Sequence, residues 1–336
     1  MKLARFAGAA IALLLGLGAA TTAHLSARDE VRALWVVRTS LTSPQAIDAM
    51  VVAAQQSGFN TLLVQVRGQG DAYFLNGLEP RPASLLSQPA FDPLADTIAK
   101  AHARGLAVHA WINVNLVSGT NVPSDRTHIV YRHPEWLMVP RQISDDLAAL
   151  DPAGPEYLGR LTRYARTHTE EVEGLYLSPA TPGAVEYTAS VVRDIVQRYA
   201  VDGVHFDYLR YPNDDFDYSH ETLNAFRRST GADQTSSDRW RQFRVERLTA
   251  LLTELRSVVK HARPAAEVSV DVAPDPVVAS DRHLQDWSAW LNQGLLDVVC
   301  RQVQTGDKAP TAPRAGVGGV ILSVSQLGKA AFSAQF

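Results

Sequence analysis

Cysteine is almost missing from this sequence. The chain of 336 residues carries one, Cys300, which excludes an intramolecular disulfide. It closes the apolar run LLDVVC (295–300), where a thiol serves as a small core residue rather than a nucleophile. Charge of one sign is equally scarce: 32 Lys and Arg stand against 35 Asp and Glu, a net charge of −3. No basic field is present to hold nucleic acid. Beyond Ala20 no apolar run is long enough to cross a bilayer. HExxH, GxSxG, the phosphate-binding P-loop and paired CxxC motifs are all absent. Metalloprotease, α/β-hydrolase and nucleotide-hydrolase chemistry therefore lack their residues, and a carbohydrate-deacetylase reading lacks a His-rich metal set. GQG (68–70) is too short for a dinucleotide fingerprint. The acidic stretch NDDFDY (213–218) lacks EF-hand spacing and reads as a solvated loop. Neither a metal nor an organic cofactor is expected.

What is present begins with a targeting segment. Lys2 and Arg5 precede the apolar run Phe6–Ala20, and the small residues Thr21 and Ala23 follow. That order predicts a secretory signal peptide over residues 1–23, cleaved after Ala23, and hence export to the periplasm or the extracellular space. A retained anchor is the competing reading. No cysteine stands at the end of the segment to carry a lipid. The remaining chain is 46% hydrophobic and 20% charged when counted with the whole, which is globular composition in a length able to bury a large core.

Strand-like and helix-like segments then alternate. Apolar strands are predicted at 31–37, 59–66, 106–112, 203–208, 267–274, 295–300 and 319–324, with a short extra one at GLYL (174–177). Ser43-Pro44 and Asp92-Pro93 read as helix N-caps followed by first-turn prolines, and Gly58 and Gly105 as helix stops. Further helices are expected over 185–199, 240–261 and 286–293. Strands apolar on both faces, alternating with helices, imply a parallel sheet covered on both sides. The fold class is α/β, a (β/α)8-type TIM barrel over residues 30–325 with a tail at 326–336. A barrel is preferred to a doubly wound sheet because no Gly-rich turn follows the first strand and polar residues cluster at many strand ends. The count falls one unit short. RQVQTGDKAPTAPRAG (301–316) reads as a loop, too short to hold another helix and strand.

Barrel loops after the strands' C-terminal ends build the site. The first strand delivers Arg38; the second Gln65, Arg67 and Asp71; the third His109, Trp111, Asn113 and Asn115. The fourth delivers His205, Asp207, Tyr208 and Arg210; the fifth Asp271 and Asp275; the sixth Gln302. Planar polar groups suit sugar hydroxyls and aromatic faces suit pyranose rings. Glycosidic cleavage needs two carboxyl groups, one to protonate the leaving oxygen and one to attack or to activate water. Asp207 is the first candidate, with Arg210 expected to keep it ionised or simply to pair with it. Asp275 or Asp71 is the second. Asp271, alternating with Val270 and Val272, ranks below Asp275. Arg67, His109, Asn113, Tyr208 and Arg210 are candidate substrate-binding residues and Trp111 a stacking platform. The competing readings are an Arg67–Asp71 salt bridge, a core histidine at 109 and a buried Trp111. HPEW (133–136) reads as a turn or as a cover at one end of a cleft.

VRALWVVRTS, GFNTLLVQVRGQGDAYF, FDPLADTIAKAHARGLAVHAWINVNLV and YAVDGVHFDYLRYP together resemble the glycosyl-hydrolase-like family 10. The likeness runs from about Glu30 to Pro212 and more loosely to Cys300. It implies a (β/α)8-type barrel, export, and hydrolysis of glycosidic bonds in a polysaccharide or in the glycan strands of peptidoglycan, a substrate of at least one branch. Arg67, Asp71, His109, Trp111, Asn113, Asp207 and Arg210 fall on motif positions. The likeness lapses at CRQVQTGDKAP, where a "PM.Y"-like motif and about one βα unit are replaced. The alternative function is therefore a non-catalytic glycan-binding protein of the cell envelope, and a second is an envelope interaction protein that binds no saccharide.

Overall fold

In a computed structural model the described residues are 31–302, except 233, 234, 236 and 237, together with the strand at 320–323. The expected signal peptide, the C-terminal tail and nearly all of the 301–316 loop lie outside them, as does the side chain of Gln302. The first two strands, β1 (Ala33–Val36) and β2 (Thr61–Arg67), are linked by α1 (Pro44–Gln56), and α2 (Pro93–His102) leads to β3 (Ala107–Asn113). An excursion follows: β4 (Leu116–Gly119), the short helices α3 (Ile129–Arg132) and α4 (Ser144–Ala148), then α5 (Pro155–Thr167) and β5 (Gly174–Tyr176). The main run resumes with α6 (Pro182–Arg198), β6 (Gly203–Asp207), α7 (His220–Thr230), α8 (Asp238–Ala262) and β7 (Glu267–Val272). It ends with α9 (Pro276–His283), α10 (Trp287–Asn292), β8 (Val298–Gln302) and β9 (Val320–Ser323).

The caps read from the sequence are made. Ser43 accepts a hydrogen bond from the Ala46 amide and Asp92 from the Ala95 amide, with proline next in each case, and each cap contributes about 1 kcal/mol. Gly58 and Gly105 stand beyond the helix ends with φ of 80° and 73°. The 25-residue α8 stops short of Pro264, whose ring cannot continue it.

Seven strands form one sheet in the order β1-β2-β3-β6-β7-β8-β9, every neighbouring pair parallel. The separate antiparallel pair β4-β5 is tied to the C-terminal ends of β3 and β6: Val114 and Asn115 donate to the Asp207 and Tyr208 carbonyls, and Leu177 donates to that of Asn115. It forms a lip on that end. β4 has no counterpart among the expected strands, because Leu116–Gly119 follows β3 too closely to read as a separate element.

Alternate residues of each strand face opposite ways. Leu62, Val64, Val66, Val108, Ala110, Ile112, Val204, Phe206, Val268 and Val270 join the helices in one continuous apolar core. The other face carries Trp35, His109, Trp111, His205, Asp207, Ser269, Asp271 and Cys300, and it curls inward. In a flat sheet, five strand spacings of about 4.8 Å would put β1 and β8 roughly 24 Å apart. Instead Val31, Ala33 and Trp35 pack on Val298 and Cys300, and the Trp35 and His205 rings lie 5.7 Å apart. Among the described residues no ladder joins β9 to β1. Over the described residues the sheet is an incomplete (β/α) barrel of seven strands, as the shortened C-terminal end leads one to expect.

One loop differs from its sequence reading. NDDFDY was expected to be solvated throughout, and only Asp214 and Asp215 are exposed. Asp217 is fully buried. Its carboxylate accepts from the Val139 and Ser219 amides at 2.8 Å each and from the Thr222 hydroxyl at 2.6 Å. The loop folds around that carboxylate because a buried charge is tolerated only when its hydrogen bonds are made.

Candidate active site

Asp207 is the last residue of β6. It stands in register with Asn113 of β3, one place above the Phe206–Val270 pair, and so level with Asp271 of β7, which pairs in turn with Cys300 of β8. Four neighbouring strands thus bring their tips to one rim. Both Asp207 oxygens are held. The Tyr208 amide donates to Oδ1 at 2.6 Å, and the Trp111 indole donates to Oδ2 at 3.0 Å. Burial pushes the carboxyl up to about 6; the Tyr208 amide, Arg210 and Trp111 oppose that rise, and the negative charge of Glu173 adds to it. The chain turns sharply here, with Tyr208 at φ 52°, a left-handed conformation that costs a bulky residue on the order of 1 kcal/mol or more.

Arg210 does not form the ion pair with Asp207 that was one reading from sequence, although its charge does favour the ionised carboxylate, which was the other. Its Nη2 donates to Glu173 Oε1 at 2.6 Å, and its guanidinium lies 4.9 Å over the Tyr208 ring. Glu173 precedes β5 and also accepts from the Tyr176 hydroxyl, while the Tyr176 and Tyr208 rings meet edge-on at 6.1 Å. Glu173, Arg210, Tyr208 and Tyr176 therefore form a closed circuit beside Asp207. Burial alone would raise the Glu173 carboxyl, but Arg210 and the Tyr176 hydroxyl outweigh it and hold the group below its ordinary value. Two carboxyl groups on one rim are thereby driven in opposite directions, the pattern that separates an acid from a permanently ionised partner. A cavity of about 210 Å³ opens beside them, lined among others by Glu173, Arg210, Asp271, Arg282, His283 and Gln285. Asp207, half-buried at the tip of β6, stands next to it without being one of its lining residues.

The other expected residues scatter. Arg67 is fully buried and forks onto Glu79, Nε to Oε2 at 2.8 Å and Nη2 to Oε1 at 2.7 Å, with further bonds to the Asn113 and Val114 carbonyls. It braces the β2–β3 tips and does not reach Asp71. Asp71 accepts from the Gly68 and Gln69 amides at 2.9 and 3.0 Å and pairs with Arg38 at 3.4 Å, so it fixes the turn after β2. Asn113 donates to the Gly68 carbonyl at 2.8 Å and is buried. His109 is not at the mouth. It pairs with Gly203 at the start of β6, roughly 13 Å below Asn113 at about 3.3 Å per residue, and its ring occupies the space a Cβ on Gly203 would need. Burial lowers His109 to about 4 and His205 to about 3, so both are neutral at pH 7. His205 Nδ1 stands 2.9 Å from Ser269 Oγ.

Asp275 is exposed and caps α9, accepting from the Val277 and Val278 amides at 2.7 and 3.2 Å. Asp271 takes the inward place that was expected of it, and that place leads to the cavity, so the order of the two is reversed. Burial drives the Cys300 thiol well above its ordinary value, in keeping with an inert core residue. Trp111 is held through its indole N–H and by the rings of Trp35 and His205 at 6.0 and 6.4 Å. In HPEW the His133 and Trp136 rings stack at 3.7 Å within a single turn of helix. Glu173, Tyr176 and Glu79 escaped the sequence reading. For Glu173 and Tyr176 the short extra strand GLYL was the available signal; for Glu79 there was none. Among the described residues no three His, Cys, Asp or Glu side chains converge as metal ligands would.

Residues 30–315 match the family described as glycosyl hydrolase-like 10. The chain belongs to that family. It is 27% identical over 278 residues to glycosyl hydrolase DigH of Escherichia coli (strain K12), a match that covers 74% of this chain and 55% of the relative. Glycosyl hydrolase YngK of Bacillus subtilis (strain 168) is 22% identical over 279 residues, with 74% and 46% covered. The chain thus spans about half the length of the curated relatives it matches. Its fold resembles the glycoside hydrolase domain of PgaB (BpsB) from Bordetella bronchiseptica, with a TM-score of 0.57, 16% identity, and 81% of this chain and 74% of that one covered. A β-galactosidase from Marinomonas ef1 superposes with a TM-score of 0.51 at 11% identity, over 82% and 41% of the two chains. The glycosyl hydrolase-like 10 chain therefore has a glycosidase-type barrel, and its carboxyl groups gather on the rim where such barrels place their chemistry.

Proposed function

We propose that this chain is an exported glycoside hydrolase that cleaves O-glycosidic bonds in a polysaccharide or in the glycan strands of peptidoglycan. Asp207 is the general acid. The observation that carries this reading is its carboxyl group: half-buried at a strand tip, oriented by two donors, and raised to about 6. Such a group keeps its proton at mildly acidic pH and can deliver it to the leaving glycosidic oxygen, as the raised member of a glycosidase carboxyl pair does. Asp271 is the second carboxyl group. It stands level with Asp207 on the adjacent strand and lines the cavity beside Glu173 and Arg210. Glu173 and Arg210 then serve as a fixed polar wall for sugar hydroxyls. The export step rests on the basic, apolar and small-residue order of the first 23 residues.

The test is incubation of the purified protein with peptidoglycan and with plain polysaccharides, the products read by mass spectrometry. Asp207→Asn is expected to lower turnover by about 10²–10⁴-fold while glycan binding persists. Turnover that survives this substitution removes Asp207 from the mechanism. A second reading, a glycan-binding protein without turnover, is favoured by the incomplete ladder of the described strands, which leaves β1 and β9 unpaired with each other among the described residues. It predicts saccharide binding and no cleavage products from the unaltered chain.

A further inference from the structure

We infer that Trp111 is a positioning residue for the Asp207 carboxyl group and not a platform on which a sugar ring stacks. The inference rests on the reading of Asp207 as the acid for its functional meaning, but its geometric content stands apart from that reading. Trp111 pairs with His205 on β6, one pleat below Asp207, and its indole reaches up to place Nε1–H 3.0 Å from Asp207 Oδ2. The ring is braced inside the curl by Trp35 at 6.0 Å, tilted 36°, and by His205 at 6.4 Å, edge-on. A ring wedged between two others has little freedom to swing, so its N–H is aimed before any ligand arrives. The Tyr208 amide holds the second oxygen at 2.6 Å. Together the two donors fix the plane of the carboxyl group.

Other groups also face Asp207: Arg210 and Tyr208 from its own loop, Glu173 from the segment before β5, Cys300 from β8, and Asp271, which stands level with it on β7. Among the described residues the indole is the side-chain donor to its carboxylate, and it sets the orientation. A donor to a carboxylate favours the ionised form. Removing the indole N–H therefore leaves burial less opposed and moves the Asp207 titration upward.

The experiment is an NMR titration of the full chain with carboxyl-labelled aspartate, in which Asp207→Asn identifies the Asp207 signal, run beside a titration of the indole N–H signals. In the unaltered protein the Trp111 indole signal is expected to follow the Asp207 midpoint; an indole signal with no inflection there overturns the inference, and this arm needs no Trp111 variant to fold. In Trp111→Phe the Asp207 midpoint is expected to rise by about one pH unit, the worth of one hydrogen bond. An unmoved midpoint, with a raised KM for glycan, would instead make Trp111 a stacking platform. If the midpoint moves as expected but Asp207→Asn still hydrolyses glycan, the positioning role stands and the assignment of Asp207 as the acid falls. The two failures are thus distinguishable.

Discussion

At Asp207, burial and hydrogen bonding pull against each other, and the outcome sets a working range of pH. Its folded-state value, about 6, lies above the ordinary carboxylate value near 3.9. A group that acts in its protonated form is competent below that value and incompetent above it. The expected pH profile of kcat/KM therefore has a basic limb that falls through about pH 6, and it can be measured on whichever glycan the protein turns over. A profile flat from pH 5 to pH 8 would contradict the assignment. Much of this arrangement was legible from residues alone. Asp207, Tyr208, Arg210 and Trp111 all stand where apolar strands end, and strand ends are where barrels gather polar groups. The partnerships were not legible. Arg210 is drawn to Glu173, 37 residues earlier, and Arg67 to Glu79. Such pairs are set by how loops fold back over the rim, which local pattern does not encode.

Elements show the converse error. Asp275-Pro276 follows a strand in the same way that Asp92-Pro93 precedes α2, and the rule that read Asp92 as a helix cap applies equally to Asp275. Its carboxylate is spent on two amides at the start of α9. Asp275→Ala is therefore expected to destabilise the fold by about 1 kcal/mol and to leave glycan turnover unchanged, as urea unfolding and an activity assay on one preparation will show. A loss of turnover without loss of stability would return Asp275 to the site. Helices with prolines at their first turn and apolar residues at helical spacing were legible. β4 was not, because four residues beside a longer strand give no period to read, and its structure depends on pairing with β5 across a long excursion.

The molecule as a whole keeps two neutral histidines inside its curl. His109 and His205 titrate near 4 and 3 when folded, against about 6.5 in an unfolded chain. Between those values the unfolded state binds more protons, so stability falls as pH drops below about 6.5. Asp207 works in the opposite direction, since its raised folded value makes the native state the better proton binder from about 6 down to about 3.9. Two histidines against one carboxyl group leave a net loss. The melting temperature is expected to decline between pH 6.5 and pH 4, and His205→Gln should flatten that decline; a melting temperature that rises over this interval would refute the account. At this scale the sequence reading was fullest. Alternating apolar strands and helices announced a parallel α/β sheet, and the thin C-terminal end announced a barrel lacking a stave. The inward polar lining was harder to see, because each strand is apolar on its outer face and buried on both.

That division between faces has a consequence for how the chain can change. The adhesive surface that holds sheet to helices lies outside the curl, while the lumen holds tryptophan, histidine, serine and aspartate. Substitutions confined to the lumen leave the outer interface intact, so new reactivity can be tried without re-solving the scaffold. Drift in the helices, conversely, leaves the chemical lining alone. Variation in specificity across descendants of such a sequence should therefore concentrate on every second strand position, and on the same parity in each stave.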